Sequence, residues 1–226
     1  MSSVKLDPAS HTYSLDGVRV PGVTQVLAPL NDFGILPLGT LEGAAVRGRA
    51  VHKATEEHDR EPTWKPAVEK PWRPEWVGPV PVNSSLVPYL DAWKQFLADT
   101  KFEIHAIEQQ VYSRKYNYAG VLDRLGVLNG KRCVIDIKTT AAISPQVGVQ
   151  LAAYQQAVNE ELVAPTRTKI GGYHKRFACQ LRRNGTYRLE EFTDAADWSV
   201  FLALLTVHNW RLRYRKEKSW KQIPTP

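Results

Sequence analysis

The strongest constraint on this chain lies between Gly120 and Lys138, where three charged side chains are set into two runs of Val, Ile and Leu. Residues 121–128 and 132–138 are predicted to be antiparallel strands. The Asn129-Gly130 pair between them supplies the positive φ angles that a two-residue hairpin turn requires. Asp123 falls inside the first apolar strand, and Asp136 and Lys138 inside the second. A carboxylate in such a place costs several kcal/mol unless a partner neutralises it. A fold that contains this hairpin must therefore bring the charges together.

Side chains alternate along a strand, so Asp136 and Lys138 project from one face, roughly 6.6 Å apart along the strand. Asp123 can join them across the hairpin. Two carboxylates and an ammonium on one edge can hold Mg²⁺ or Mn²⁺, orient a water and offset charge on a phosphoryl group under attack. The same three groups also make a plain Asp/Lys ion pair at a strand end, and spacing alone leaves both readings open.

Further motifs flank the hairpin in a fixed order. Gly48 to His52 lies on a helical stretch, Glu108 in a strand-like run, Gly120 to Asp123 in the hairpin, Asp136 to Thr139 after it, and Gln150, Leu151 and Tyr154 on a following helix. This series resembles the RecB-like branch of the PD-(D/E)xK nucleases, over about residues 39–158. Leu122 stands where the family's usual Pro precedes the first Asp.

The resemblance implies a restriction-endonuclease-like α/β core, a central mixed β-sheet flanked by helices. It implies metal-dependent hydrolysis of DNA phosphodiesters. Asp123 and Asp136, with the carbonyl of Ile137, would bind Mg²⁺ or Mn²⁺, His52 would be a metal ligand or a phosphate contact, and Lys138 would position and help deprotonate the attacking water. Glu108 completes the catalytic candidates. By alternation it faces the metal site, accepts from Lys138, or lies exposed. Gln150 and Tyr154, four residues apart on one helix face, would touch DNA. A phage-type exonuclease acting on DNA ends in recombination or repair is the leading expectation, with a recombination or repair protein as a possible partner. The alternatives are a structure-specific endonuclease and a catalytically inactive DNA-binding module of the same fold.

Charge agrees with a polyanionic partner, since the 226 residues carry a formal net charge of +7. Lys175, Arg176, Arg182, Arg183 and Arg188 cluster around one expected hairpin, and a second basic group crowds the C-terminus. Arg176 is taken as a DNA contact from this cluster. The two cysteines, Cys133 and Cys179, read as small buried hydrophobes. They are too few for the iron-sulfur cluster that some relatives carry, and no Cys or His pair has zinc-ligand spacing. Residues 1–8 lack a signal-peptide pattern and no run is long enough to span a membrane, so a cytoplasmic protein is expected, in a bacterial or phage-infected cell.

Along the chain a single nuclease domain over 1–226 is expected. Residues 1–38 read as a hairpin around Asp16-Gly17 and a short helix capped by Thr24. A helix follows over 40–59 with Thr40 as its cap. Residues 61–82 interleave prolines with Trp64, Trp72 and Trp76, which rules out a regular helix or central strand. This stretch reads as an insertion loop that either closes over single-stranded DNA by stacking or simply packs on the surface. Later come a helix to about residue 100, a strand over 102–113, a helix opening at Ser144-Pro145, strands over 169–180 and 187–192, and a helix with a basic tail over 195–226. The last helix has Trp198, Phe201, Leu205, His208 and Leu212 as its core seam.

Overall fold

A computed structural model describes residues 4–7, 12–31, 38–61, 85–163 and 172–218. Strands β1 (Val4–Asp7), β2 (Thr12–Leu15) and β3 (Val18–Val20) form a small antiparallel sheet, with Asp16 (φ 49°) and Gly17 (φ 81°) turning the expected hairpin. A short helix α1 (Val23–Val26) follows, capped by Gly22 rather than Thr24, with the Gln25 side chain accepting from the Gly22 amide at 3.2 Å. Helix α2 runs Leu38–Arg60. Thr40 therefore sits inside its first turn, not at the cap. The Pro/Trp stretch lies outside the described residues from Pro62 to Ser84, and the chain resumes just before α3 (Val87–Thr100).

The main sheet has the order β4-β5-β6-β7-β8, formed by Glu103–Ser113, Tyr118–Leu128, Lys131–Lys138, Lys175–Leu181 and Tyr187–Glu191. All neighbours are antiparallel except β6 and β7, which are parallel. That single parallel step needs a crossover, supplied by α4 (Gln146–Val163). The last helix, α5, spans Ala196–Lys218. Asn129 (φ 50°) and Gly130 (φ 72°) make the two-residue turn between β5 and β6.

Helices cover both faces of this sheet. On one face α1, α4 and α5 pack on Val111, Tyr118, Leu122, Leu125, Val134 and Ala178. On the other, α2 and α3 pack on Phe102, Leu128, Cys133, Ile135, Ile137 and Cys179. Strand β6 shows how the pleat divides the layers. Cys133, Ile135 and Ile137 point to α2 and α3, so Val134, Asp136 and Lys138 point to α4. Trp93 and Phe96 of α3 are fully buried and stacked at 5.1 Å, and truncating either to alanine would cost about 3–5 kcal/mol. Both cysteines are buried and free. Burial pushes the Cys133 thiol up to about 12.

The expected seam of α5 holds through Phe201 and Leu205 and then runs out, Leu212 being 45% exposed. No helix among the described residues is long and apolar enough to cross a membrane.

Candidate active site

The site forms where β5 and β6 part. Their ladder runs from Leu128↔Lys131 to Arg124↔Ile135 and ends there. A backbone amide just beyond that end, Ile137 N–H, donates instead to Asp123 Oδ2 at 2.6 Å. The strand gap is thus filled by a carboxylate, which brings the two halves of the hairpin motif together. Gly120 opens the same strand segment because a Cβ there would lie 2.6 Å from the Tyr154 ring. Only glycine lets β5 approach α4 this closely.

Helix α2 delivers His52 from the opposite layer. Its Nε2 donates to the Ile137 carbonyl at 2.9 Å, while Nδ1 lies 3.3 Å from Asp123 Oδ1 and 3.9 Å from Glu108 Oε1. Both ring nitrogens face acceptors. Burial alone would lower the His52 pKa, but Asp123, then Glu108 and Asp136, outweigh it and raise it to about 9. Asp123 answers in kind. Burial would raise its pKa, yet the His52 charge and hydrogen bond, Lys138 and the Ile137 amide hold it below the ordinary carboxylate range.

Glu108 reaches the site through an irregular strand. Its φ is 46°, the left-handed region, and it has no Cα partner between Ile107↔Arg124 and Gln109↔Leu122. Holding a non-glycine residue in this conformation costs on the order of 1–3 kcal/mol and needs support from its surroundings. Arg124 provides it, with Nη1 3.2 Å from Glu108 Oε1. Lys138, the partner considered from the sequence, is not the one the structure gives to Glu108. Burial, then the Asp123 charge, raise the Glu108 pKa to about 7, against the pull of His52 and Arg124.

Asp136 and Lys138 do share a face. Lys138 Nζ lies 2.8 Å from Asp136 Oδ2, a buried oxygen whose partner is this ammonium. Lys138 also donates to Gln150 Oε1 at 3.3 Å, and Gln150 Nε2 donates to the Tyr154 hydroxyl at 3.2 Å. Burial would lower the Lys138 pKa, but Asp136 and Asp123 raise it overall, so the ammonium stays charged. Burial raises Asp136, with Lys138 opposing and Asp123 reinforcing.

Of the three expected DNA contacts, Gln150 reaches the site and Tyr154, only 4% exposed, stands behind it. Arg176 does neither. It is buried, donating from Nη1 to Gly148 O at 3.1 Å and Asp197 Oδ2 at 2.9 Å, and from Nη2 to Asp194 O at 2.8 Å. Its role here is a clamp between β7 and the starts of α4 and α5. Its neighbours Lys175 and Arg188 are also ion-paired, to Glu191 and Glu190. Arg182 and Arg183 remain exposed at the turn.

Residues that sequence reasoning passed over complete the arrangement. Arg124 is fully buried, its Nε 2.7 Å from Asp59 Oδ2, its Nη1 2.7 Å from the Asp123 carbonyl and its Nη2 3.2 Å from Thr55 Oγ1. Asp59 in turn accepts from Trp93 Nε1 at 2.8 Å. Removing one partner of such a buried pair costs about 3–5 kcal/mol. The signal was present in α2, where His52, Thr55 and Asp59 stand at i, i+3 and i+7 beside small Ala50, Val51 and Ala54. A polar stripe within a small apolar face points inward.

These groups fit a divalent ion. His52, Glu108 and Asp123 each offer a ligand atom, and the atoms lie within 4.8 Å of one another. Ligands on an ion of Mg²⁺ size are at most about 4.2 Å apart, so shifts of a few tenths of an ångström close the set. The Ile137 carbonyl lies beside His52, and Asp136, paired with Lys138, adds a further carboxylate in the same strand.

Among solved structures the chain is similar to an alkaline exonuclease from Laribacter hongkongensis, at 13% identity over 63% of this chain and 77% of that one, with a TM-score of 0.34. That likeness is too distant to carry an argument. No curated protein matches the chain. The model of the PD-(D/E)XK nuclease superfamily matches residues 33–206, which take in the main sheet, helices α2, α3 and α4, the first half of α5 and every charged group of the site. With the five-stranded mixed sheet between helices and the two hairpin aspartates beside the lysine, that match makes this chain a member of the PD-(D/E)XK nuclease superfamily.

Proposed function

We propose that the protein is a divalent-metal-dependent deoxyribonuclease that hydrolyses phosphodiester bonds, acting as an exonuclease on DNA ends. The observation that carries this reading is the convergence of His52, Glu108 and Asp123 beside the Asp136–Lys138 pair at the parting of β5 and β6. His52, Glu108, Asp123, Asp136 and the Ile137 carbonyl would hold Mg²⁺ or Mn²⁺. Once bound, such an ion polarises a phosphate oxygen and offsets the charge that builds on it.

The chain's own groups supply the rest. Asp123 accepts the Ile137 amide and so fixes that carbonyl on the site side. His52 surrenders its Nδ1 proton when its nitrogen serves as a ligand. Lys138, held charged by Asp136, donates to the attacking water or to a phosphate oxygen, which positions the water and eases its deprotonation. Asp136, whose pKa is raised by burial, is the carboxylate nearest to that ammonium and takes the water's proton. Gln150 orients Lys138 from α4.

The substrate reading rests on the superfamily and on the net charge of +7. End-labelled linear DNA and a circular DNA of the same sequence, incubated with Mg²⁺ or Mn²⁺, test it. Progressive loss of the linear substrate with the circle intact supports an exonuclease. Cutting of the circle supports a structure-specific endonuclease, and binding without cleavage of either supports an inactive module.

A further inference from the structure

We infer that Arg124 is the positioning residue of this site, holding the Glu108 carboxylate and the backbone at Asp123 in the register that lets both share one divalent ion. The inference rests on the reading of the site as a metal centre. One nitrogen carries the argument. Arg124 Nη1 donates both to Glu108 Oε1 at 3.2 Å and to the Asp123 carbonyl at 2.7 Å, so a single rigid group fixes the spacing between two candidate ligands on different strands.

The flanking pairs Ile107↔Arg124 and Gln109↔Leu122 set Glu108 opposite Asp123, but its own backbone is left-handed and unpaired, so the ladder alone does not orient its carboxylate. The guanidinium is itself locked. Asp59 at 2.7 Å and Thr55 at 3.2 Å take the remaining edge, and Trp93 lies beneath the plane at 5.5 Å. Asp59 and Thr55 share α2 with His52, so the same fork ties the third candidate ligand's helix to β4 and β5. A planar fork can serve these acceptors at once, whereas an ammonium is a point donor on a flexible stem. Arg124 touches neither substrate nor ion in this scheme and works only through Glu108 and Asp123.

The test is Mn²⁺ titrated by calorimetry into the full chain without nucleic acid, for wild type, Arg124→Lys, Glu108→Gln and the double variant, with folding followed by circular dichroism. Arg124→Lys keeps a counter-charge for Asp59 and is expected to stay folded while binding Mn²⁺ about tenfold more weakly. In the Glu108→Gln background the same substitution is expected to cost clearly less, about threefold, because only the Asp123 backbone is left for Arg124 to position. Affinity of Arg124→Lys within about twofold of wild type, or an equal loss in both backgrounds, overturns the inference. Should Arg124→Lys unfold, Thr55→Val removes the Nη2 acceptor together with the Thr55 hydroxyl's bond to the His52 carbonyl at 2.9 Å, so dependence on Glu108 is the deciding readout. A loss of about threefold that depends on Glu108 then supports the role, and no loss overturns it. Wild type that fails to bind Mn²⁺ overturns the metal-centre reading as well, an outcome distinct from wild-type binding that Arg124 does not influence.

Discussion

At the scale of single residues, Asp136 and Lys138 are not equivalent, although both belong to the same motif. Asp136 is nearly inaccessible, and Lys138 is the cation beside it, with side-chain exposures of 4% and 23%. Asp136→Asn removes a charge without leaving another buried, since Lys138 retains partial access to water and Gln150. Cleavage is expected to fall at least about a hundredfold, with the thermal midpoint within a few degrees of wild type. Lys138→Ala strands the buried carboxylate, so the same loss of cleavage is expected together with a destabilisation of about 1–3 kcal/mol, less than for a fully buried pair. Urea unfolding of both variants beside a single-turnover cleavage assay separates the two outcomes.

His52 makes a pH prediction on the metal-free protein. Its pKa is raised from 6.5 in the unfolded chain to about 9 in the fold, so its contribution to stability is fully present below pH 6.5 and is lost as pH rises through 9. Thermal melts in chelator should show wild type ahead of His52→Gln near pH 6, with the gap closing by about pH 9.5. A gap that is constant with pH would mean that His52 is not charged in the fold. From sequence alone, His52 was one histidine on a helix. Its place in the site was readable only through the motif order, because the carboxylates that charge it come from three strands more than fifty residues away.

At the scale of elements, the hairpin was legible because its causes are local. Asn129-Gly130 sets the turn, alternation sets the faces, and Asp136 and Lys138 follow. Arg176 and Arg124 were not legible, because a long cationic side chain reads as surface unless its buried acceptors are known, and those acceptors are distant in sequence. For Arg176 they are Asp197, Asp194 O and Gly148 O, which join three elements. Arg176→Ala should therefore cost about 3–5 kcal/mol of stability while leaving the salt dependence of DNA affinity unchanged. Were Arg176 a phosphate contact, that slope would fall by about one unit with little loss of stability. Glu108 lay between these cases. Alternation pointed it toward the site, but its left-handed backbone and its bond to Arg124 depend on packing that no local pattern encodes.

At the scale of the whole molecule, a three-layer fold places candidate ligands from both sides of one sheet at a single break in its ladder. α2 brings His52, β4 brings Glu108, β5 and β6 bring the aspartates, and α4 supports Lys138 through Gln150. The layers were predictable because the apolar periodicities of the strands and helices are strong. The break was not, since it arises when an Asp123 oxygen replaces a strand partner. The central claim is that these groups hydrolyse DNA only with a divalent ion, and the most direct test is single-turnover cleavage of labelled linear DNA against Mn²⁺ concentration, for wild type and Asp123→Asn. The account predicts no cleavage in chelator, saturable activation of wild type, and loss of activity in Asp123→Asn by at least about a hundredfold at saturating Mn²⁺. Cleavage by wild type in chelator, or cleavage by Asp123→Asn within a few-fold of wild type, would contradict it.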